Sequence, residues 1–88
     1  MKPIEPGHSF VKTFAKRIAR DAKLLKQYQA RLEIFMAGQR GVPINDHALS
    51  GNLAGKRAFS ITGDIRVIYV ELEDKIIFLD IGTHNQIY

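Results

Sequence analysis

Six side chains that could do chemistry lie in the second half of the chain, interleaved with apolar residues typical of β-strands. They are His47, Arg57, Asp64, Arg66, His84 and Tyr88. Imidazole exchanges protons near neutral pH, and a guanidinium presents a rigid set of donors to phosphate oxygens. The combination of acid–base groups with cations therefore indicates chemistry on a phosphate.

The composition limits the kind of protein that could carry this chemistry. The 88 residues are enough for one small domain, expected over 1–88, with a single core. The absence of Cys excludes disulfides and thiolate zinc sites, and the three scattered His lack zinc-ligand spacing, so we predict no metal and no cofactor. Neither a secretory leader nor a membrane-spanning segment is apparent, which makes the cytoplasm the expected location and a membrane partner unexpected.

The charge balance favours an anionic partner. Thirteen Lys and Arg oppose nine Asp and Glu, which gives a net charge of +4. A basic excess of this kind attracts polyanions such as nucleic acids. It could equally serve only solubility, so charge alone does not decide the function.

The first half of the chain predicts a helical hairpin. Phe10, Phe14 and Ile18 recur every four residues after Ser9, which is a good helix cap. Asp21 offers a second cap, and apolar residues then recur at spacings of three and four until Gly38. This periodicity already explains the aromatic residues as core, so no chemistry is expected there.

The rest of the chain predicts a loop followed by a meander of strands. Residues 38–55 have the composition of turns, and strands are expected over 56–61, 65–71 and 75–81. The connections are so short that these strands must be antiparallel. Residues 2–5 could add an edge strand, confined to the rim of the sheet by Pro3 and Pro6.

Together these elements predict an α+β fold. An N-terminal helical hairpin packs on one face of a three- to four-stranded antiparallel sheet and leaves the other face open to solvent or a ligand. Arg66 interrupts the apolar run of the second predicted strand. It is either an exposed arginine paired with Asp64 or Asp80, or part of a site on the open face.

Three segments resemble the RelE/ParE toxin superfamily, and most of all its YafQ-type branch. They are His47–Arg57 (HALSGNLAGKR), Gly63–Tyr69 (GDIRVIY) and Gly82–His84 (GTH). The resemblance covers roughly residues 44–88 in motif detail. It implies a compact fold similar to microbial ribonucleases and the toxin of a type II toxin–antitoxin pair, which cuts messenger RNA in the ribosomal A site.

The resemblance also implies roles for individual residues. The branch's histidines, aspartate and terminal aromatic correspond here to His47, Ser60, Asp64, His84 and Tyr88. Ser60 replaces a histidine of the family, and a hydroxyl cannot exchange protons near neutral pH as imidazole does. The expected catalytic residues are therefore His47, Asp64, His84 and Arg57, and the expected substrate-binding residues are Arg66, Lys56, Ser60 and Tyr88.

The chemistry that the resemblance implies needs no metal. A ribose 2′-hydroxyl attacks the adjacent phosphorus, which requires a base, an acid for the leaving oxygen and fixed positive charge around the phosphorane. We assign His84 as the acid, while His47 or Asp64 acts as or orients the base. Tyr88 could stack on an unpaired base of the RNA.

Simpler roles remain open for several of these residues. His47 could be an ordinary loop histidine, Asp64 could cap the turn after Gly63, and Tyr88 could be a packed terminus. Two other functions are also possible: a ParE-like toxin that inhibits DNA gyrase, and a degenerate module that binds only its antitoxin. The expected partners of the leading hypothesis are a cognate antitoxin, messenger RNA and the ribosome.

Overall fold

The computed structural model describes residues 2–87, so the predicted role of Tyr88 lies outside the described residues. Two helices cover one face of a five-stranded sheet. In chain order the elements are β1 (Ile4–Pro6), α1 (His8–Arg17), α2 (Ala22–Met36), β2 (His47–Ala48), β3 (Arg57–Ser60), β4 (Ile65–Glu71), β5 (Ile76–Thr83) and α3 (His84–Ile87), with a 3-10 turn at Gly51–Leu53. The α+β class predicted from the sequence is confirmed.

The two long helices form where the periodicity predicts them, with one difference at the first cap. Gly7, not Ser9, occupies the N-cap of α1, and the helix begins at His8. The Gly7 backbone N–H donates to the Phe78 carbonyl at 2.8 Å, so the chain turns into the helix directly after leaving the sheet. A side chain at this position would begin only 2.8 Å from that carbonyl oxygen, which explains the glycine.

The predicted cap of α2 is confirmed. The Asp21 carboxylate accepts hydrogen bonds from the backbone N–H groups of Lys23 and Leu24 at 3.0 and 3.1 Å. Two of the N–H groups that have no partner within the helix are thereby satisfied. After Met36 the chain reaches Gly38 at φ +86°, a conformation that ends a helix and suits glycine.

The sheet has the order β1-β5-β4-β3-β2, one or two strands more than predicted. The three strands of the meander pair antiparallel, as expected. β1 is the rim strand that the sequence allowed, and it runs parallel to β5. β2 was missed because two residues inside a loop are too few to show the alternation that identifies a strand.

Aromatic rings fill the space between the helices and the sheet. Phe35 of α2 stacks on Phe59 of β3 with ring centroids 4.5 Å apart and makes edge contacts with Tyr69 and Phe78. All four rings are almost completely buried. No helix in the described part of the chain is both long and apolar enough to cross a membrane.

The strand register decides which side chains share a face. Phe59 is opposite Val67 in the ladder, and both belong to the core beneath the helices. Ser60 is opposite Arg66, one position further on, so this pair points to the other face. That other face, opposite the helix-covered core, is the open face on which a site was expected.

Candidate active site

Three adjacent depressions on the open face share residues and form one surface, which we call the open-face groove. The first is lined by His47, Ser60 and Arg66, together with loop residues and Arg31 of α2. The second is lined by Asp64, Arg66 and His84. The third is lined by His47, His84 and the loop that follows His47. Five of the eight residues predicted from the sequence therefore line one continuous surface.

The sheet and its turns position the members of this groove. Ser60 and Arg66 are cross-strand partners, and Arg66 is also opposite Gly82 of β5. His84 follows the end of β5 and begins α3. Residues at opposite ends of the predicted meander thus meet because antiparallel strands bring the β3–β4 turn next to the end of β5.

The turn between β3 and β4 holds Asp64 without using its carboxylate. The Thr62 hydroxyl oxygen accepts from the backbone N–H groups of Asp64 at 3.2 Å and Ile65 at 3.0 Å. Thr62, and not Asp64, is therefore the residue that caps this turn. The Asp64 carboxylate remains available to the groove that it lines.

The imidazole of His47 has a defined orientation. Its Nδ1 lies 2.9 Å from the backbone carbonyl oxygen of Asn45. A carbonyl oxygen can only accept, so Nδ1 carries the proton and donates it in this hydrogen bond. In the neutral ring, Nε2 is then the nitrogen with a lone pair that can accept a proton.

Arg66 holds a guanidinium that is incompletely satisfied within the protein. Its Nε atom is buried and has no hydrogen-bond partner among the described residues. No ion pair joins Arg66 to Asp64 or Asp80 within residues 2–87, which removes the simpler alternative considered for it. A guanidinium that lines two depressions and forms no ion pair within residues 2–87 is suited to an anionic ligand.

Arg57 lies on the other side of the sheet. It is two residues before Phe59 and opposite Tyr69 in the ladder, so its side chain emerges on the helix-facing side. Its Nε and Nη2 both lie 2.7 Å from Oδ1 of Asp46. The hydrogen bond to Asp46 is the main reason that the pKa of Arg57 is raised. Arg57 is thus engaged by a carboxylate and is not brought together with His84.

Asp46 is the residue of this region that sequence reasoning overlooked. Its side chain is 0% exposed, and it accepts a hydrogen bond from the Tyr69 hydroxyl as well as from Arg57. Asp46 sits in a stretch of turn-forming residues, where an Asp is unremarkable. The sequence does carry one signal for this arrangement. Arg57 alternates with Phe59 and Ile61, so the arginine belongs to the apolar face of the strand.

Lys56, the remaining predicted substrate-binding residue within residues 2–87, lies outside the open-face groove. Lys56 is half-buried directly before β3, and its backbone N–H donates to the Leu53 carbonyl at 3.0 Å. Within residues 2–87, no three His, Asp or Glu side chains are grouped in a way that could hold a metal ion.

Comparison with known proteins gives the family and the fold of the chain. Residues 2–88 match the family described as the bacterial toxin of type II toxin–antitoxin systems, YafQ. The chain resembles the toxin in a DinJ–YafQ toxin–antitoxin complex from Escherichia coli, with 26% identity, a TM-score of 0.75 and coverage of 99% of this chain and 97% of that one. It also resembles a copper-bound mutant toxin from Helicobacter pylori, with 25% identity, a TM-score of 0.78 and full coverage of both chains.

A further YafQ structure from Escherichia coli, at 19% identity and a TM-score of 0.77 over 100% of this chain and 99% of that one, shares the fold. No curated protein sequence matches the chain. The resemblance carried by the segments around His47, Asp64 and His84 is confirmed by the family match over nearly the whole length. The chain belongs to the YafQ family of bacterial toxins of type II toxin–antitoxin systems.

Proposed function

We propose that this toxin is an endoribonuclease that cleaves messenger RNA in the ribosomal A site by metal-free acid–base chemistry. The observation that carries the proposal is the open-face groove, which joins two imidazoles, a carboxylate and an unsatisfied guanidinium on one surface. These are the groups that attack of a ribose 2′-hydroxyl on its own phosphate requires.

His47 is the general base of this mechanism. Its Nδ1 donates to the Asn45 carbonyl, so Nε2 is the nitrogen that accepts the proton of the 2′-hydroxyl. The 2′-oxygen then forms a bond to phosphorus, and the bond from phosphorus to the 5′-oxygen of the next nucleotide breaks. The products are a 2′,3′-cyclic phosphate and a 5′-hydroxyl end.

His84 is the acid that protonates the leaving 5′-oxygen, and Arg66 stabilises the charge of the phosphorane between the two imidazoles. Arg66 lines the depression that contains His47 and also the depression that contains His84. A fixed guanidinium is worth more to the transition state than to the substrate because negative charge grows on the phosphoryl oxygens. Ser60, opposite Arg66 in the ladder, supplies a further donor to these oxygens.

The remaining end of the groove is suited to a nucleobase. The depression beside His47 and His84 is lined mainly by apolar atoms, including those of Leu49 and Leu53. An RNA strand whose phosphate lies on Arg66 places an adjoining base there, and unpaired bases bind proteins by stacking on such surfaces.

The partners of this toxin follow from its charge and its family. A net charge of +4 favours the ribosome and messenger RNA, and it also favours an acidic antitoxin that covers the groove. The Escherichia coli relative forms a complex with DinJ, so a cognate antitoxin is expected for this chain. Action on translating ribosomes places the toxin in the cytoplasm.

The test compares His47→Ala and His84→Ala with the wild-type toxin, in growth arrest and in cleavage of transcripts on purified translating ribosomes. Both variants are expected to lose cleavage by about 100-fold or more, since each removes one proton-transfer group. His8→Ala is the matched control, because His8 is exposed on α1 and outside the groove. Intact transcripts together with stalled gyrase–DNA complexes would overturn the proposal in favour of a gyrase poison.

A further inference from the structure

We infer that Asp46 is the positioning residue for the imidazole of His47, and that Arg57 and Tyr69 contribute to catalysis only by holding Asp46. The inference rests on the proposed function of His47 as the base. It gives Arg57 a role different from phosphate contact.

The Asp46 carboxylate is enclosed by donors. Its Oδ1 accepts from Nε and Nη2 of Arg57, each at 2.7 Å, and its Oδ2 accepts from the Tyr69 hydroxyl. Nε of Arg40 lies 3.7 Å from Oδ2. A fully buried carboxylate is costly unless its oxygens are satisfied, so this set of partners specifies one location for Asp46. We call these three side chains and Asp46 the Asp46 anchor.

The backbone around Asp46 is held as well. Its N–H donates to the Arg40 carbonyl at 2.8 Å, and the N–H of Asn45 donates to the Gly41 carbonyl at 2.8 Å. One residue earlier, the Ile44 carbonyl accepts from the Ser60 N–H at 2.7 Å. The loop before β2 is therefore fastened to the sheet up to the residue that precedes His47.

The anchor and the base are on opposite faces of the sheet. Asp46 contacts Arg57 and Tyr69, which are cross-strand partners on the helix-facing side. His47 is opposite Ala58 in the ladder between β2 and β3 and lines the open-face groove. Successive residues of an extended chain point to opposite faces, so burying the side chain of Asp46 presents His47 to the groove.

A backbone acceptor next to Asp46 sets the tautomer of His47. The carbonyl of Asn45 accepts from Nδ1 of His47, and Asp46 is the only residue between them. Release of Asp46 would shift the Asn45 carbonyl relative to the ring, which weakens this hydrogen bond and displaces the imidazole relative to Arg66. A displacement of about 1 Å can reduce a rate by about 100-fold, and loss of a group that orients a reactive imidazole has effects of about 10- to 100-fold.

Two members of the anchor, Arg57 and Tyr69, have raised pKa values. Burial, followed by the hydrogen bond to Asp46, raises the pKa of the Tyr69 hydroxyl, and the hydrogen bond to Asp46 raises the pKa of Arg57. The charged groups that line the groove with His47 are Arg31 from α2, Asp64 from the β3–β4 turn and Arg66 from β4.

The experiment uses Tyr69→Phe, which removes the hydroxyl donor to Asp46, and Arg57→Lys, which replaces the two-donor guanidinium with an ammonium. We expect kcat to fall by about 10-fold or more in both variants, with KM for the RNA unchanged. Nitrogen chemical shifts of the His47 ring, measured by NMR on the free toxin, should show Nδ1 protonated in the wild type and a mixture of tautomers in the variants. Tyr28→Phe is the matched control, since it removes a hydroxyl from a tyrosine outside the anchor.

Two results would overturn the inference. One is an unchanged His47 tautomer in both variants, and the other is an Arg57→Lys variant whose defect lies in KM, which would mean that Arg57 contacts phosphate. The NMR readout needs no RNA cleavage, so it tests the anchor even if the wild-type toxin proves not to be a nuclease. If Tyr69→Phe does not fold, Arg57→Lys carries the test, because it retains the charge opposite Asp46.

Discussion

Replacing Arg66 with Met should inactivate the toxin without destabilising it. The Nε of Arg66 is buried and lacks a partner in the free protein. An unsatisfied buried donor costs about 1–3 kcal/mol, and a methionine fills similar space without a polar atom. We therefore expect the free energy of unfolding of Arg66→Met to equal that of the wild type or to exceed it by about 1 kcal/mol.

The rate of RNA cleavage, in contrast, should fall in Arg66→Met. If Arg66 meets the phosphorane, its removal takes away a preorganised donor at the developing charge. Such donors contribute about 100- to 1,000-fold in kcat, or about 2.7–4 kcal/mol. Single-turnover cleavage of ribosome-bound RNA measures this loss of rate, and urea denaturation measures the free energy of unfolding.

Arg57→Met is the contrasting variant. Arg57 and Arg66 lie on neighbouring strands but on opposite faces, and Arg57 is paired with the fully buried Asp46. Removing it leaves a buried carboxylate short of its charged partner, so we expect a loss of about 3 kcal/mol in unfolding free energy. An Arg66→Met variant that is destabilised by more than about 1 kcal/mol, or that still cleaves RNA normally, would refute the reasoning.

Three further predictions concern separate features. Asp21→Ala should lower the unfolding free energy by about 1 kcal/mol in urea denaturation, because two N–H groups of α2 lose their acceptor. Burial raises the pKa of Tyr28 to about 12. Tyr28 of the unfolded chain ionises near pH 10, whereas the native tyrosine stays protonated. Its contribution to the free energy of unfolding is therefore complete below about pH 10 and is lost as the pH rises towards 12. Tyr28→Phe should show a shallower decline in alkaline denaturation. Leu53→Ser, in the apolar end of the groove, should change which nucleotides flank the cleavage sites in sequenced transcripts while the single-turnover rate at the best site changes less than 10-fold.

Local pattern accounts for the helices and for the strands of the meander. The four-residue recurrence of Phe10, Phe14 and Ile18 and the cap at Asp21 depend on neighbours within one or two turns, so they can be read from the sequence. The edge strand β1 and the cap at Gly7 depend on pairing with β5, some 70 residues away. The sequence is compatible with these two features but is not sufficient to predict them.

The candidate site divides in the same way. The resemblance identified His47, Ser60, Asp64, Arg66 and His84, and the strand register brings all five to one face. Arg57 came from the same motif, yet the structure directs its guanidinium to the opposite side, against Asp46. A motif records which residue types occur and in what order, whereas the face on which each one emerges depends on strand parity and on the register with neighbouring strands.

The anchor around Asp46 is the clearest case of a feature decided by tertiary structure alone. Its partners come from a loop and two strands, and nothing periodic connects them along the chain. Side-chain periodicity is a short-range property, so the amino-acid order was sufficient for the helices, the strands and the residue types of the site. The burial of a particular carboxylate and its pairing with a particular guanidinium depend on long-range contacts. A buried charge needs hydrogen-bond donors, and the tertiary structure decides which donors lie close enough.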